Sequence, residues 1–217
     1  MMIAASPRQK AILWSRKAMR SKDIVIMDTE TTGLTGNDRV CEISIIETGG
    51  EVLFDCLMDP LCPISEGASK VNGLLDFDVS GKDTMVVHFD RLRRILFSKY
   101  LVGWNVGFDK RLLEQSWKAL DPRAQLPIVG QWIDLMKVYA DFSGQSRCSL
   151  SAAAKECGID GVQSHRALGD CEWTLGVIRH MAEVPDEVQP ERKLVLDNDT
   201  GLYKAQKQVA GQPSLFY

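Results

Sequence analysis

The stretch VIMDTETTGL, residues 25–34, decides the reading of this 217-residue chain. An apolar run opening at Asp23 reads as a strand that ends at Asp28. The acids Asp28 and Glu30 stand at i and i+2, followed by threonines, Gly33 and Leu34. Residues two apart on an extended chain point to the same face, so the two carboxylates lie side by side. Like charges that close raise each other's pKa and oppose folding unless a cation lies between them. The stretch therefore asks for a metal, and further ligands must come from elsewhere in the chain.

The surroundings set the fold class. Val40–Thr48 and Glu51–Leu57 read as two more strands joined through Gly49-Gly50, a strong hairpin signal. Residues 59–82 are rich in Pro, Gly and Ser and read as a connection with a short helix inside. A helix is expected around His88–Lys99, then a short strand Tyr100–Trp104 and a helix Phe108–Leu120 stopped at Asp121-Pro122. Val129–Ile133 is the fifth strand, with Asp134 placed to cap the next helix. Ser149–Glu156, ended by Gly158, and Arg166 to about Val184 complete the helices. Three strands in hairpin order, then strands alternating with helices, predict an α/β fold: a mixed five-stranded sheet, its first three strands antiparallel, flanked by helices.

Composition bounds the class. With 45% hydrophobic residues the chain can bury one good-sized core. A net charge of −3 argues against a protein that grips long duplex DNA through many phosphate contacts. It does not argue against an enzyme that holds one chain end through cations, because the ions bring their own positive charge. The six cysteines show no CxxC pairing and read as small buried hydrophobes in a reducing compartment. No apolar run approaches a membrane span. Residues 1–22 carry Arg8, Lys10, Arg16, Lys17, Arg20 and Lys22 and no acid, with Ser6-Pro7 as a helix start. They read as a basic helical extension packed on or near a domain at 23–184, with a loosely patterned tail at 185–217. The expected location is the bacterial cytoplasm; the acid-free start also has the character of a mitochondrial presequence.

Two further stretches place acids where the chain changes direction. GWNVGFD ends in Asp109, just after the fourth strand, and HRALGD offers His165 and Asp170. On a helix an i, i+5 pair lies about 140° apart around the axis. His165 is therefore expected in the turn leading in, with Asp170 on the helix proper. Oxygen ligands in this number select Mg²⁺ or Mn²⁺ over zinc and fit a two-metal site acting on a phosphoryl centre. An imidazole is suited to take a proton from water at neutral pH. Glu42 reads as structural, and Trp104 and Phe108 as core packing in preference to base stacking.

Asp28-Thr29-Glu30, Asn105-x-x-Phe108-Asp109 and His165-x-x-x-x-Asp170 resemble, in order and spacing, the three motifs of the DEDDh 3′–5′ exonucleases. That family includes the proofreading subunit of bacterial DNA polymerase III. TTGL, RVCEISIIE, ISEGASKVNGL, IDLMKV and SLSAAAKECGI are also similar to family segments, so the resemblance spans residues 24–184. It implies a ribonuclease H-like fold and two divalent cations, Mg²⁺ or Mn²⁺. It further implies that Asp28 bridges both metals, that Glu30 and Asp170 hold the one activating water, that Asp109 supports the other, and that His165 is the general base. Thr31, Leu34 and Asn105 would contact the terminal nucleotide, Leu34 as an apolar wedge. One departure is visible: Asn72-Gly73 stands where many relatives have His-Gly, a change expected to touch no metal ligand.

The chain ends AGQPSLFY. Gln212, Leu215 and Phe216 resemble the short motif by which bacterial proteins bind the DNA sliding clamp, with two apolar anchors and a glutamine fixing the register. The expected activity is hydrolysis of terminal phosphodiesters at single-stranded or frayed DNA 3′ ends to nucleoside monophosphates, in proofreading or repair. An RNA 3′-trimming enzyme shares the catalytic set, and a non-catalytic clamp-bound polymerase accessory is the reading of another class.

Overall fold

The computed structural model describes residues 5–120, 122–123, 130–161 and 165–185, with the backbone of 194–196 and 203–205. Its centre is a five-stranded sheet of β1 (Ile24–Thr31), β2 (Val40–Glu47), β3 (Val52–Leu57), β4 (Tyr100–Gly103) and β5 (Gln131–Asp134), in spatial order β3-β2-β1-β4-β5. The β1–β2 and β2–β3 pairs are antiparallel, and β1–β4 and β4–β5 are parallel. This is the mixed sheet expected from the strand pattern.

The alternation of β1 sorts the helices. Ile24 and Ile26 point into one apolar layer with α1 (Pro7–Ala18), α6 (Leu135–Ser143), α7 (Leu150–Glu156) and α8 (Ala167–Glu183). Val25 and Met27 point into the other, against α4 (Met85–Leu96) and α5 (Gly107–Leu120). Carried forward at the same period, Asp28 and Glu30 take the α8 side and Thr29 the α5 side. The opposite faces of one strand thus choose which helix brings each partner.

Several expected boundaries shift. The first strand does not end at Asp28 but continues to Thr31, because β2 goes on pairing with it through Glu30↔Glu42 and Thr31↔Val40. Both acids therefore lie within a paired strand. The helix expected at 88–99 begins three residues earlier, at Met85, and stops before Ser98, whose φ of 56° turns the chain into β4. The connection at 59–82 holds two short helices, α2 (Glu66–Asn72) and α3 (Asp76–Val79). Asp134 caps α6 as expected, accepting from the Met136 N–H at 3.2 Å.

The basic N-terminal stretch is a structural helix. Ser6 and Gln9 form a reciprocal capping box, with Pro7 in the first turn. Packed against α6 and α8, α1 uses its cations on their free carbonyls. Arg8 donates to Phe142 O at 2.6 Å, and Arg16 to Ala182 O and Val184 O at 3.1 and 2.7 Å. Cations at helix C-termini also oppose the negative end of the helix dipole. Residues 1–184 form one compact unit. In the second unit, β6 (Leu194–Leu196) pairs antiparallel with β7 (Tyr203–Ala205), within the stretch read as a loosely patterned tail. The clamp-motif residues Gln212, Leu215 and Phe216 lie outside the described residues. No helix among the described residues is long and apolar enough to cross a membrane.

Gly103, the last residue of β4, runs close beside β1: a Cβ there would lie 2.9 Å from Met27 O and 3.0 Å from Val106 Cγ2. The first neighbour is backbone and cannot swing away. Gly103→Ala is expected to destabilise by about 1–3 kcal/mol. Gly36→Ala, with nothing within 4 Å of its Cβ, should stay within about 0.5 kcal/mol. Urea unfolding of the two variants compares them, and equal stabilities would contradict the steric argument.

Candidate active site

Asp28, Glu30 and Asp170 converge on the α8 side of the sheet. Each offers a carboxylate oxygen, and the three atoms lie within 4.8 Å of one another. Asp170 sits in the first turn of α8 and is buried. His165 occupies the loop just ahead of that helix, at φ 46°, so the split between a residue on the helix and one in the turn leading in is as the spacing predicts.

Asp109 arrives from the opposite face. It lies in the first turn of α5, buried, and one oxygen accepts both the Thr29 N–H at 3.1 Å and the Thr29 hydroxyl at 2.8 Å. The reason is topological. Pairing with β4 ends at Ile26↔Val102, so the Thr29 N–H has no strand partner on that side and takes the carboxylate instead. Asp109 is thereby fixed next to the three acids, outside the 4.8 Å set.

The electrostatics express this crowding. Burial, then the charges of Asp109, Asp170, Glu30 and Glu42, push Asp28 well above the ordinary aspartate range. Burial, Asp170 and Glu42 carry Glu30 up to about 8, against a hydrogen bond from Asn72 that pulls it down. Burial takes Asp109 up to about 7, opposed by its bonds to Thr29. Hard oxygen donors at this spacing, held so that protons must leave before all can ionise, suit a divalent cation. The donor set fits the metal chemistry expected of it.

Asn72, at the departure from the relatives' His-Gly, stands near enough to Glu30 to pull its carboxyl down. Its side-chain amide donates to Thr31 O at 3.2 Å and accepts from the Leu74 N–H at 3.0 Å, tying the end of α2 to β1. Nothing in its sequence context announced this, since the link crosses 42 positions from Glu30.

A cavity of about 370 Å³ opens beside Glu30, lined by Thr31, Leu34, Val71, Asn72 and Phe108 among others. Leu34 is 73% exposed. Its loop is held in place by Asp38, which accepts from the Thr32 hydroxyl and from the Thr35 N–H and hydroxyl. Arg111 and Gln115 of α5 donate to carbonyls of the same loop, at Leu34, Thr35 and Asp38. Thr31 is buried, its hydroxyl bonded to Gly33 O. Phe108 lines this cavity as well as packing on the core, whereas Trp104 is a core residue whose indole donates to Cys148 O. Asn105 is not among the lining residues. It forms the turn before α5 at φ 57°, its N–H bonded to Asp134 Oδ1 at 3.1 Å.

These shifts fix a pH dependence for the metal-free protein. The folded state keeps protons on Asp109 up to about 7 and on Glu30 up to about 8, while the unfolded chain releases them in the ordinary carboxylate range. The native state then binds more protons than the unfolded one across that window, so stability falls as pH rises through it. In chelator the melting temperature is expected to drop between about pH 5 and about pH 8, and saturating Mg²⁺ or Mn²⁺ should flatten the profile. A melting temperature that rises with pH in chelator would contradict the assignment.

Comparison with known proteins agrees with this geometry. The family model for RNase_T, described as an exonuclease, matches residues 25–178. An uncharacterised exonuclease of Escherichia phage 186 is 28% identical, over 74% of this chain and 89% of its own length. The DNA polymerase III epsilon subunit of Buchnera aphidicola is 26% identical, over 69% of this chain and 67% of that subunit. The chain also matches the PolC-type DNA polymerase III of Clostridium perfringens, of which it spans only 11%. Among solved structures, exonuclease X in complex with 5′ overhanging duplex DNA superposes with a TM-score of 0.55 at 27% identity, covering 73% of this chain and 90% of that one. With the family model covering residues 25–178, all four acids among them, the chain belongs to the RNase_T family of exonucleases.

Proposed function

We propose that this exonuclease removes nucleotides one at a time from the 3′ end of DNA, single-stranded or frayed, with Mg²⁺ or Mn²⁺ as cofactor. The observation that carries the reading is the convergence of Asp28, Glu30 and Asp170 beside an apolar cavity large enough for one nucleotide. Asp28, Glu30 and Asp170 would hold one cation, and Asp28 with Asp109 a second. When bound, such a pair neutralises the phosphoryl oxygens and makes water a stronger nucleophile.

The chain's own groups do the rest. Leu34, Val71 and Phe108 bracket the terminal base through apolar contact, which discriminates little between bases. Thr31 and Asn72 border the sugar side next to Glu30. His165, in the loop ahead of α8, accepts the proton of the attacking water. The water oxygen bonds to phosphorus as the bond to the 3′ oxygen of the preceding nucleotide breaks; that oxygen takes a proton from solvent water to become a free 3′ hydroxyl, and a nucleoside 5′-monophosphate is released. RNA trimming remains the competing substrate class, because the acids and His165 serve both polymers alike. All five expected groups are present, which weighs against a purely structural polymerase accessory. For partners, the reading includes a polymerase and, through Gln212, Leu215 and Phe216, a sliding clamp.

The test is digestion of matched 5′-labelled DNA and RNA oligonucleotides with Mg²⁺, with Mn²⁺ and with chelator. A ladder shortening from the 3′ end is expected with metal and not with chelator, and Asp28→Ala and Asp170→Ala should abolish it. His165→Ala should lower kcat by about 10²–10⁴-fold. Intact substrate under every metal would sink the reading, and faster loss of RNA than DNA would reassign the substrate. Removing residues 212–217 should leave oligonucleotide digestion unchanged and abolish co-elution with a bacterial sliding clamp; retained co-elution would move the contact elsewhere.

A further inference from the structure

Glu42 is a fifth acid at the site that the mechanism above does not use. It stands on β2 directly opposite Glu30 and is 3% exposed. Directly opposed residues of an antiparallel pair have side chains about 5 Å apart. A carboxylate so placed is a competing oxygen donor unless something engages it.

Arg166 engages it from the start of α8. Arg166 Nε lies 3.1 and 3.0 Å from the two Glu42 oxygens, and its terminal nitrogen adds a bond to Oε1. The Ala167 N–H donates to Oε2 at 3.2 Å. Arg166 is the N-cap residue of α8 and makes no side-chain cap bond of its own. The first free N–H of the helix is thus capped by an acid from the sheet, and the residue before that N–H clamps the same acid. His165 precedes this anchor by one residue, and Asp170 follows within the first turn, its N–H bonded to Arg166 O at 3.1 Å.

We infer that Glu42 and Arg166 are a positioning pair: they fix the N-terminus of α8 on β2, thereby setting Asp170 against Asp28 and Glu30 and holding His165 in the turn that leads into that helix, and they withdraw Glu42 from the metal-binding set. The inference rests on the proposed roles of those four residues. A planar guanidinium meeting both oxygens fixes direction as well as distance, which an ammonium does not. Neither residue touches substrate or metal; both act through α8.

The test compares wild type with Arg166→Met, Arg166→Lys and the double variant Glu42→Gln/Arg166→Met, which leaves no unpaired carboxylate in the buried position. Mn²⁺ affinity is read by calorimetry and turnover by steady-state kinetics on single-stranded DNA. Each variant is expected to bind Mn²⁺ about 10–100-fold more weakly and to lose kcat to a similar extent, as when groups that orient metal ligands are removed. KM should stay within about threefold, because the cavity is untouched. Arg166→Lys should not restore either quantity. A double variant that melts cooperatively and matches wild type in Mn²⁺ affinity and kcat would overturn the inference. Should wild type bind Mn²⁺ yet degrade no polymer, the proposed function fails while the affinity comparison still decides the role of the pair.

Discussion

Repulsion among crowded carboxylates, half-buried at Asp28 and Glu30 and buried at Asp109 and Asp170, is the constraint around which this structure is organised. Asp28, Glu30 and Asp109 lie in a setting that disfavours their charge, and Asp170 and Glu42 add to the same field. Holding them requires a scaffold that does not relax away. Two apolar layers, one on each face of the sheet, clamp β1 between α8 and α5. Individual hydrogen bonds then reduce the strain where they can: Thr29 on Asp109, Asn72 on Glu30, Arg166 and the Ala167 N–H on Glu42. Buried polar groups satisfied in this way order their surroundings, and the same groups left unmatched would be the weakest part of the fold.

α5 links the chemistry to the cavity. Its first turn delivers Asp109 to Thr29, and further along the same helix Arg111 and Gln115 hold the loop that displays Leu34. One rigid element thereby sets both an acid and the rim of the groove. An exposed leucine is ordinarily unremarkable on a protein surface. Here the loop beneath it is bonded at several points, with Asp38 as its hub, so the exposure is maintained by structure.

Much of this was legible in the sequence, for physical reasons that differ from residue to residue. The i, i+2 spacing of Asp28 and Glu30 translates directly into one strand face, and the i, i+5 spacing of His165 and Asp170 into a loop and a helix. The antiparallel start of the sheet followed from the hairpin at Gly49-Gly50, and its mixed character from the later alternation with helices. Pairing beyond Asp28 was not legible, because the acids interrupt the apolar run and the neighbour that prolongs β1 lies on β2. The links Glu42–Arg166, Asn72–Glu30 and Thr29–Asp109 join positions far apart in the chain, and no local pattern encodes them. The cationic start of the chain read as a helix packed on or near the domain, but its sequence did not announce that Arg8 and Arg16 reach the carbonyl ends of α6 and α8.

β4 stops at Gly103 while β1 runs on to Thr31, so the end of β1 that carries both acids has a strand beside it on one flank only. Mechanically this is a cantilever. The first half of the strand is locked between two neighbours, and the second half projects from that mount with β2 along one edge and a side chain, Asp109, propping the other. The position of that end is therefore set jointly by β2 along one edge and by the first turn of α5 along the other. The acids stand where sheet and helix share the support of a single strand.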